Sequence, residues 1–118
     1  MRKTLSVFLI TGLLVGCSSD TESTTISSND VYKAFENANL PLTDARDNSH
    51  NCDTLGCVSL ITTEDVSIYE WKTEEEAKQQ FDSSIGDGSY SNGNIFVRLN
   101  NKDLSIEEYN KVLDELFQ

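Results

Sequence analysis

Two runs rich in β-branched and aromatic residues, 57–62 (CVSLIT) and 66–71 (VSIYEW), lie three residues apart. Such residues suit a pleated, half-buried surface, and the polar Thr63-Glu64-Asp65 between them suits a turn. The pair predicts a β-hairpin, and the rest of the chain must cover it. Val31, Ala34, Phe35 and Ala38 fall at helical spacing. A helix from about Asp30, capped by Ser28 or Asn29, fits them. Asn39 suits a left-handed end, and Pro41 forbids resumption. Residues 42–46 read as a short edge strand and residues 47–56 as a polar loop. Thr73-Glu74-Glu75-Glu76 predicts a capping box at the head of a helix that buries Ala77 and Phe81 and stops at Gly86. An Asn-Gly turn at Asn92-Gly93 feeds a strand over 94–99. Ser105-Ile106-Glu107-Glu108 predicts a second capping box, with Leu104 and Tyr109 as its hydrophobic staple. Tyr109, Val112, Leu113, Leu116 and Phe117 then share one helical face. The predicted order is α-β-β-β-α-β-α. It gives an α+β fold, with a small antiparallel sheet of three or four strands and helices packed on one face.

The N-terminus addresses location. Met1-Arg2-Lys3 is positive, and residues 5–15 are apolar apart from Ser6, Thr11 and Gly12. That length suits a signal-peptide core and falls short of the roughly 20 residues that span a bilayer. It ends in Leu14-Val15-Gly16-Cys17, which resembles the lipobox of bacterial lipoproteins. The resemblance implies cleavage between Gly16 and Cys17 and a diacylglycerol on the Cys17 sulfur. It also implies a lipid-anchored protein on the extracytoplasmic side of the cell membrane. Two acyl chains, at about 0.8 kcal/mol per buried methylene, hold such an anchor stably. The expected organisation is a signal peptide over 1–16, the lipidated cysteine and a flexible Ser/Thr tether over 17–29, and one domain over 30–118. A dozen tether residues, treated as a coil, span on the order of 20 Å. The domain itself resembles small envelope lipoproteins of Gram-positive bacteria, through Leu40-Pro41, Cys52 and Cys57, the 58–71 run, and Glu76-Ala77 with Phe81. That resemblance implies no activity.

Nine basic residues stand against 20 acidic ones, a net charge of −11. Loss of residues 1–16 removes Arg2 and Lys3, leaving seven basic residues and a charge of −13. Such a surface favours a soluble monomer. It provides no basic stripe for nucleic acid and repels anionic headgroups. It leaves room for a basic partner or cations.

With Cys17 assigned to lipid, Cys52 and Cys57 form an even pair in an oxidising compartment, which predicts a structural disulfide. A redox-active pair would have two intervening residues and a helix N-terminus. Here four residues intervene and a strand is expected to follow. His50 with the two cysteines is one ligand short of a closed zinc site and matches no common spacing. The loops starting at Asp47 and at Asp87 both fail the calcium pattern at the glycine and glutamate positions. His50 is the sole histidine, and no Gly-x-Ser-x-Gly accompanies it. Glu74, Glu75 and Glu76 are explained by helix polarity. The expectation is therefore no enzyme, no catalytic residues, no metal and no cofactor. The expected activity is a binding module for an envelope protein or peptide. Its candidate contacts are His50, Asp53, Leu55, Tyr69 and Trp71, on the disulfide loop and the adjoining hairpin. The alternatives are a redox helper or other small enzyme using Cys52 and Cys57, and an acidic binder of cations or cationic peptides.

Overall fold

The structure, a computed structural model, describes residues 25–83 and 88–118. The expected signal peptide, Cys17, most of the tether, and Gly86 as a helix stop lie outside the described residues. The elements in chain order are α1 (Ser28–Asn37), β1 (Arg46–Asp47), a 3-10 turn (Ser49–Asn51), α2 (Cys52–Leu55), β2 (Ser59–Thr62) and β3 (Val66–Glu70). They are followed by α3 (Glu74–Ser83), β4 (Ser89–Asn92), β5 (Ile95–Leu99) and α4 (Glu107–Leu116). One antiparallel sheet runs in the order β1-β2-β3-β5-β4. The class is α+β, with five strands among the described residues.

The predicted hairpin is β2 and β3, with Leu60 opposite Tyr69 and Ile61 opposite Ile68. Its turn is built from Thr63. That hydroxyl accepts from Asp65 N (3.0 Å) and Val66 N (2.8 Å) and donates to Val66 O (2.8 Å). These bonds satisfy a side chain that is almost fully buried.

Pleating sends Val66 and Ile68 of β3, and Ile95 and Val97 of β5, to one face. There they meet Val31 and Phe35 of α1 and Tyr109 and Leu113 of α4. The Phe35 and Tyr109 rings join the two helices edge to face at 5.1 Å. The other face carries Tyr69, Trp71 and Phe96, and Ala77 of α3 packs onto it. Helices therefore cover both faces, not one. The cause is in β3 and β5 themselves, which carry large apolar side chains on both sides. A one-sided cover would leave Trp71 and Phe96, each 5% exposed, in water, at a cost of about 1.5–3 kcal/mol per side chain.

α1 starts earlier than expected. Ser27 is its cap and accepts from Asp30 N (3.1 Å). Its end agrees with the reading: Asn39 has φ +62, Leu40 N donates to Phe35 O (3.1 Å) and Asn39 N to Glu36 O (3.0 Å). These are the two bonds of a Schellman motif, with Leu40 dropped back onto the core. Upstream of the helix, Ile26 belongs to the folded unit rather than to a tether. Its N–H donates to Asn94 Oδ1 and its carbonyl accepts from Asn94 Nδ2, both at 3.0 Å. The Glu70 carboxylate accepts from Ser28 N (2.9 Å) and Ser59 Oγ (2.8 Å), which fixes the helix head to the sheet.

The edge strand is Arg46–Asp47, shorter than the predicted 42–46. Asp44, at φ +55, bends the chain before it. β4 carries no strand signal in its Ser-Tyr-Ser-Asn composition, yet the hairpin to β5 forms it. The two-residue loop is Gly93-Asn94, with positive φ at Gly93 (+53) only. The loop is therefore one residue later than an Asn92-Gly93 turn, and β5 begins at Ile95. At α3, Thr73 Oγ1 accepts from Glu76 N (3.1 Å), the first half of the predicted capping box. At α4, Ser105 Oγ instead accepts from Glu107 N (3.2 Å), one position short of box geometry. Phe81 is 38% exposed, against the expectation that it is buried. Ala77 already makes the contact with Trp71 and Phe96, and Phe81 sits one turn further along.

Candidate functional site: the disulfide loop

Residues 48–58 join β1 to β2 and hold most of the sequence-derived candidates. The Asp47 carboxylate accepts from both the amide and the hydroxyl of Ser49, and these two bonds hold it below its ordinary range. Ser49 Oγ in turn accepts from Leu60 N (3.0 Å). Asn48 N donates to Leu60 O (2.8 Å), and Asn48 Nδ2 donates to Thr62 Oγ1. The loop is thus bonded to β2 along its first half.

The second half is closed covalently. Cys52 and Cys57 are joined by a disulfide, with a Cα–Cα separation of 4.7 Å. Between them α2 makes a single turn that ends at Gly56, where φ is +93. Gly56 N donates back to Cys52 O (2.7 Å). Only glycine adopts that φ without strain. Cys52 is buried, while Cys57 packs against Trp71, Ala77 and Phe96. The loop is seated on the α3 side of the sheet.

The structure separates the candidates into two groups. His50, Asp53 and Leu55 are exposed on the loop, Leu55 at 51%. Val58, which the sequence reading did not single out, joins them at 45%. An apolar residue next to a disulfide at a strand entrance gives no sequence sign of facing water. Tyr69 and Trp71 belong to the packing beneath. Trp71 is 5% exposed, so its ring does not form a contact surface. It stacks on Tyr69 at 6.4 Å, Tyr69 meets Phe96 at 5.5 Å, and the Arg98 guanidinium lies 5.9 Å above the Tyr69 ring. These aromatics form a rigid floor for the loop.

A hydrolytic triad needs the serine bonded to the imidazole. Ser49 bonds to the Asp47 carboxylate directly instead. Among the described residues, no three His, Cys, Asp or Glu side chains gather as a metal site. No helix among them is long and apolar enough to cross a membrane. No family model, curated protein or solved structure matches the chain.

Proposed function

We propose that this chain is a lipid-anchored module on the outer side of a bacterial cell membrane. It binds a protein or peptide partner and performs no chemistry of its own. The supporting observation is the loop. Leu55 and Val58 stand at 51% and 45% exposure on a segment that is cross-linked and seated on aromatic packing. Apolar groups held out on a stiff loop lose little entropy when a partner covers them. In this reading Cys52 and Cys57 are a staple, and Cys17 carries the lipid. The net charge of −13 that remains once residues 1–16 are lost steers approach toward basic partners and away from acidic ones.

The test uses the full chain in intact cells, with a photo-crosslinking residue at position 55. A discrete adduct is expected that disappears in a Cys17→Ser chain and is lost when Val58 is changed to Asp. The same bands from both the anchored and the Cys17→Ser chain, or none from either, would remove the reading. An unmodified Cys17 by intact mass would remove its membrane half alone.

A further inference from the structure

The two edges of the sheet are unlike. β1 is two residues long, and both, Arg46 and Asp47, are charged. Short, charged edges are the usual defence against unwanted strand pairing. β4 is four residues long, Ser89–Asn92, and carries no charge. Gly88 O accepts from Leu99 N (2.6 Å), so Gly88 presents its carbonyl to β5. In an antiparallel ladder this alternates, so Tyr90 and Asn92 also bond inward, and the N–H and C=O of Ser89 and Ser91 point outward. Among the described residues no strand pairs with that side.

The inward-bonding residues are also fixed by their side chains. Tyr90 OH (2.6 Å) and Asn92 Nδ2 (2.8 Å) both donate to Asp114 Oδ1 of α4. The edge is therefore held straight from behind. Beside it stands the half-exposed Phe81, with a hollow of about 330 Å³ between it, Ser91 and Gly93. A second hollow, of about 800 Å³, reaches from Phe81 past Ser89 to Leu99. An added strand would gain backbone bonds from Ser89 and Ser91 and would place alternate side chains on either side of Phe81.

We propose that β4 is a docking edge for an extended, basic segment of a partner protein, which pairs with it as a sixth strand. The choice of occupant rests on charge. A second copy would bring another −11 to a chain already at −11, whereas a basic peptide is drawn to that net charge; the side chains lining the two hollows are themselves balanced, Glu74 and Glu107 against Lys78 and Lys102. The proposal is independent of the disulfide loop, which adjoins the β1 edge at the other end of the sheet order.

The probe is a fluorescent heptapeptide, Arg-Val-Thr-Val-Thr-Val-Arg, titrated with the full chain, alongside a form N-methylated at alternate amides and a form with glutamates for the arginines. Ser91→Pro removes only an outward N–H, a position at which edge strands tolerate proline. Binding of the basic peptide is expected, about tenfold weaker for the N-methylated form and for Ser91→Pro, and several-fold weaker in about 0.5 M salt. Amide exchange over 88–92 is expected to slow on binding. If Ser91→Pro does not fold, the N-methylated peptide decides on the unaltered chain. No binding at millimolar peptide, equal binding of all three peptides, or protection confined to the disulfide loop would each overturn the proposal. So would sedimentation showing a β4-paired dimer that ignores the peptide. A positive result here with no adduct at position 55 would instead discard the disulfide-loop reading alone.

Discussion

At the scale of single residues, Gly93 is the most crowded of the described glycines. A Cβ there would stand 2.2 Å from Phe117 Cε1, and φ is already +53. Gly93→Ala is therefore expected to cost about 2 kcal/mol in urea unfolding, from the unfavourable φ and the clash together. The same change in a Phe117→Ala background should cost at least about 1 kcal/mol less, and strict additivity would show that no clash exists. Two tyrosines also report directly. Tyr90 is pushed up to about 12 by its bond to Asp114, and Tyr109 to about 12 by burial and then by the charges of Asp65 and Glu108. Their ordinary value is 10.0. The folded chain keeps protons that the unfolded chain releases between these values. Both groups thus stabilise the fold fully below about pH 10, and that contribution is lost as pH rises toward 12. Tyrosinate absorbance should show two late-titrating rings, and melting temperature should fall through that window. Titration of Tyr90 and Tyr109 near pH 10 would contradict the assigned environments.

At the scale of elements, the second half of the disulfide loop is held by its cross-link, by the packing of Cys57 on the aromatics, and by the bond from Val58 N to Glu70 O (2.7 Å). In the chain-entropy account, closing a six-residue loop contributes about 2 kcal/mol. The double change Cys52→Ser, Cys57→Ser should lower stability by roughly that amount, with faster amide exchange over 52–57 and little change in β3 and β5. A loss spread evenly over the sheet would mean that the loop is integral to the core. The elements legible in the sequence were those with a strong period or a strong cap. Val31 and Phe35, the pair of strands around Thr63, and the Tyr109 to Phe117 face all appear where their spacing put them. β4 did not, because serine and asparagine are poor strand formers and only pairing with β5 makes them one. Phe81 departs from its spacing because helical periodicity identifies a shared side without saying how far along that side the core extends. Of the candidate contacts, the loop residues were legible from polarity and turn chemistry. For Trp71, strand aromatics are more often packing than contact surface, and here α3 covers it.

At the scale of the whole molecule, charge is poorly compensated. Among the described residues the ion pairs are Arg46 with Asp44 and Lys78 with Asp82, all well exposed. Pairs of this kind contribute about 0–1 kcal/mol, so the remaining carboxylates chiefly repel one another. Raising ionic strength from about 0.01 to 0.3 M should therefore raise the melting temperature, since the Debye length shrinks from about 30 Å to under 10 Å. A fall would show that the exposed pairs outweigh the repulsion. The α+β class and the acidic surface were legible at this scale. The two-sided cover was not, because which face a helix takes is settled only when the crossover from β3 to β4 is closed. Asn94 also sets the mechanics of the molecule. It clasps Ile26 on one side, and its Nδ2 reaches Trp71 O (3.1 Å) on the other. A force arriving at Ile26 is handed to the chain just beyond β3 and just before β5, the two strands joined by the longest ladder of the sheet. α1 is shielded from being peeled off turn by turn, and traction from that side should meet one stiff, abrupt yield instead of a gradual unravelling.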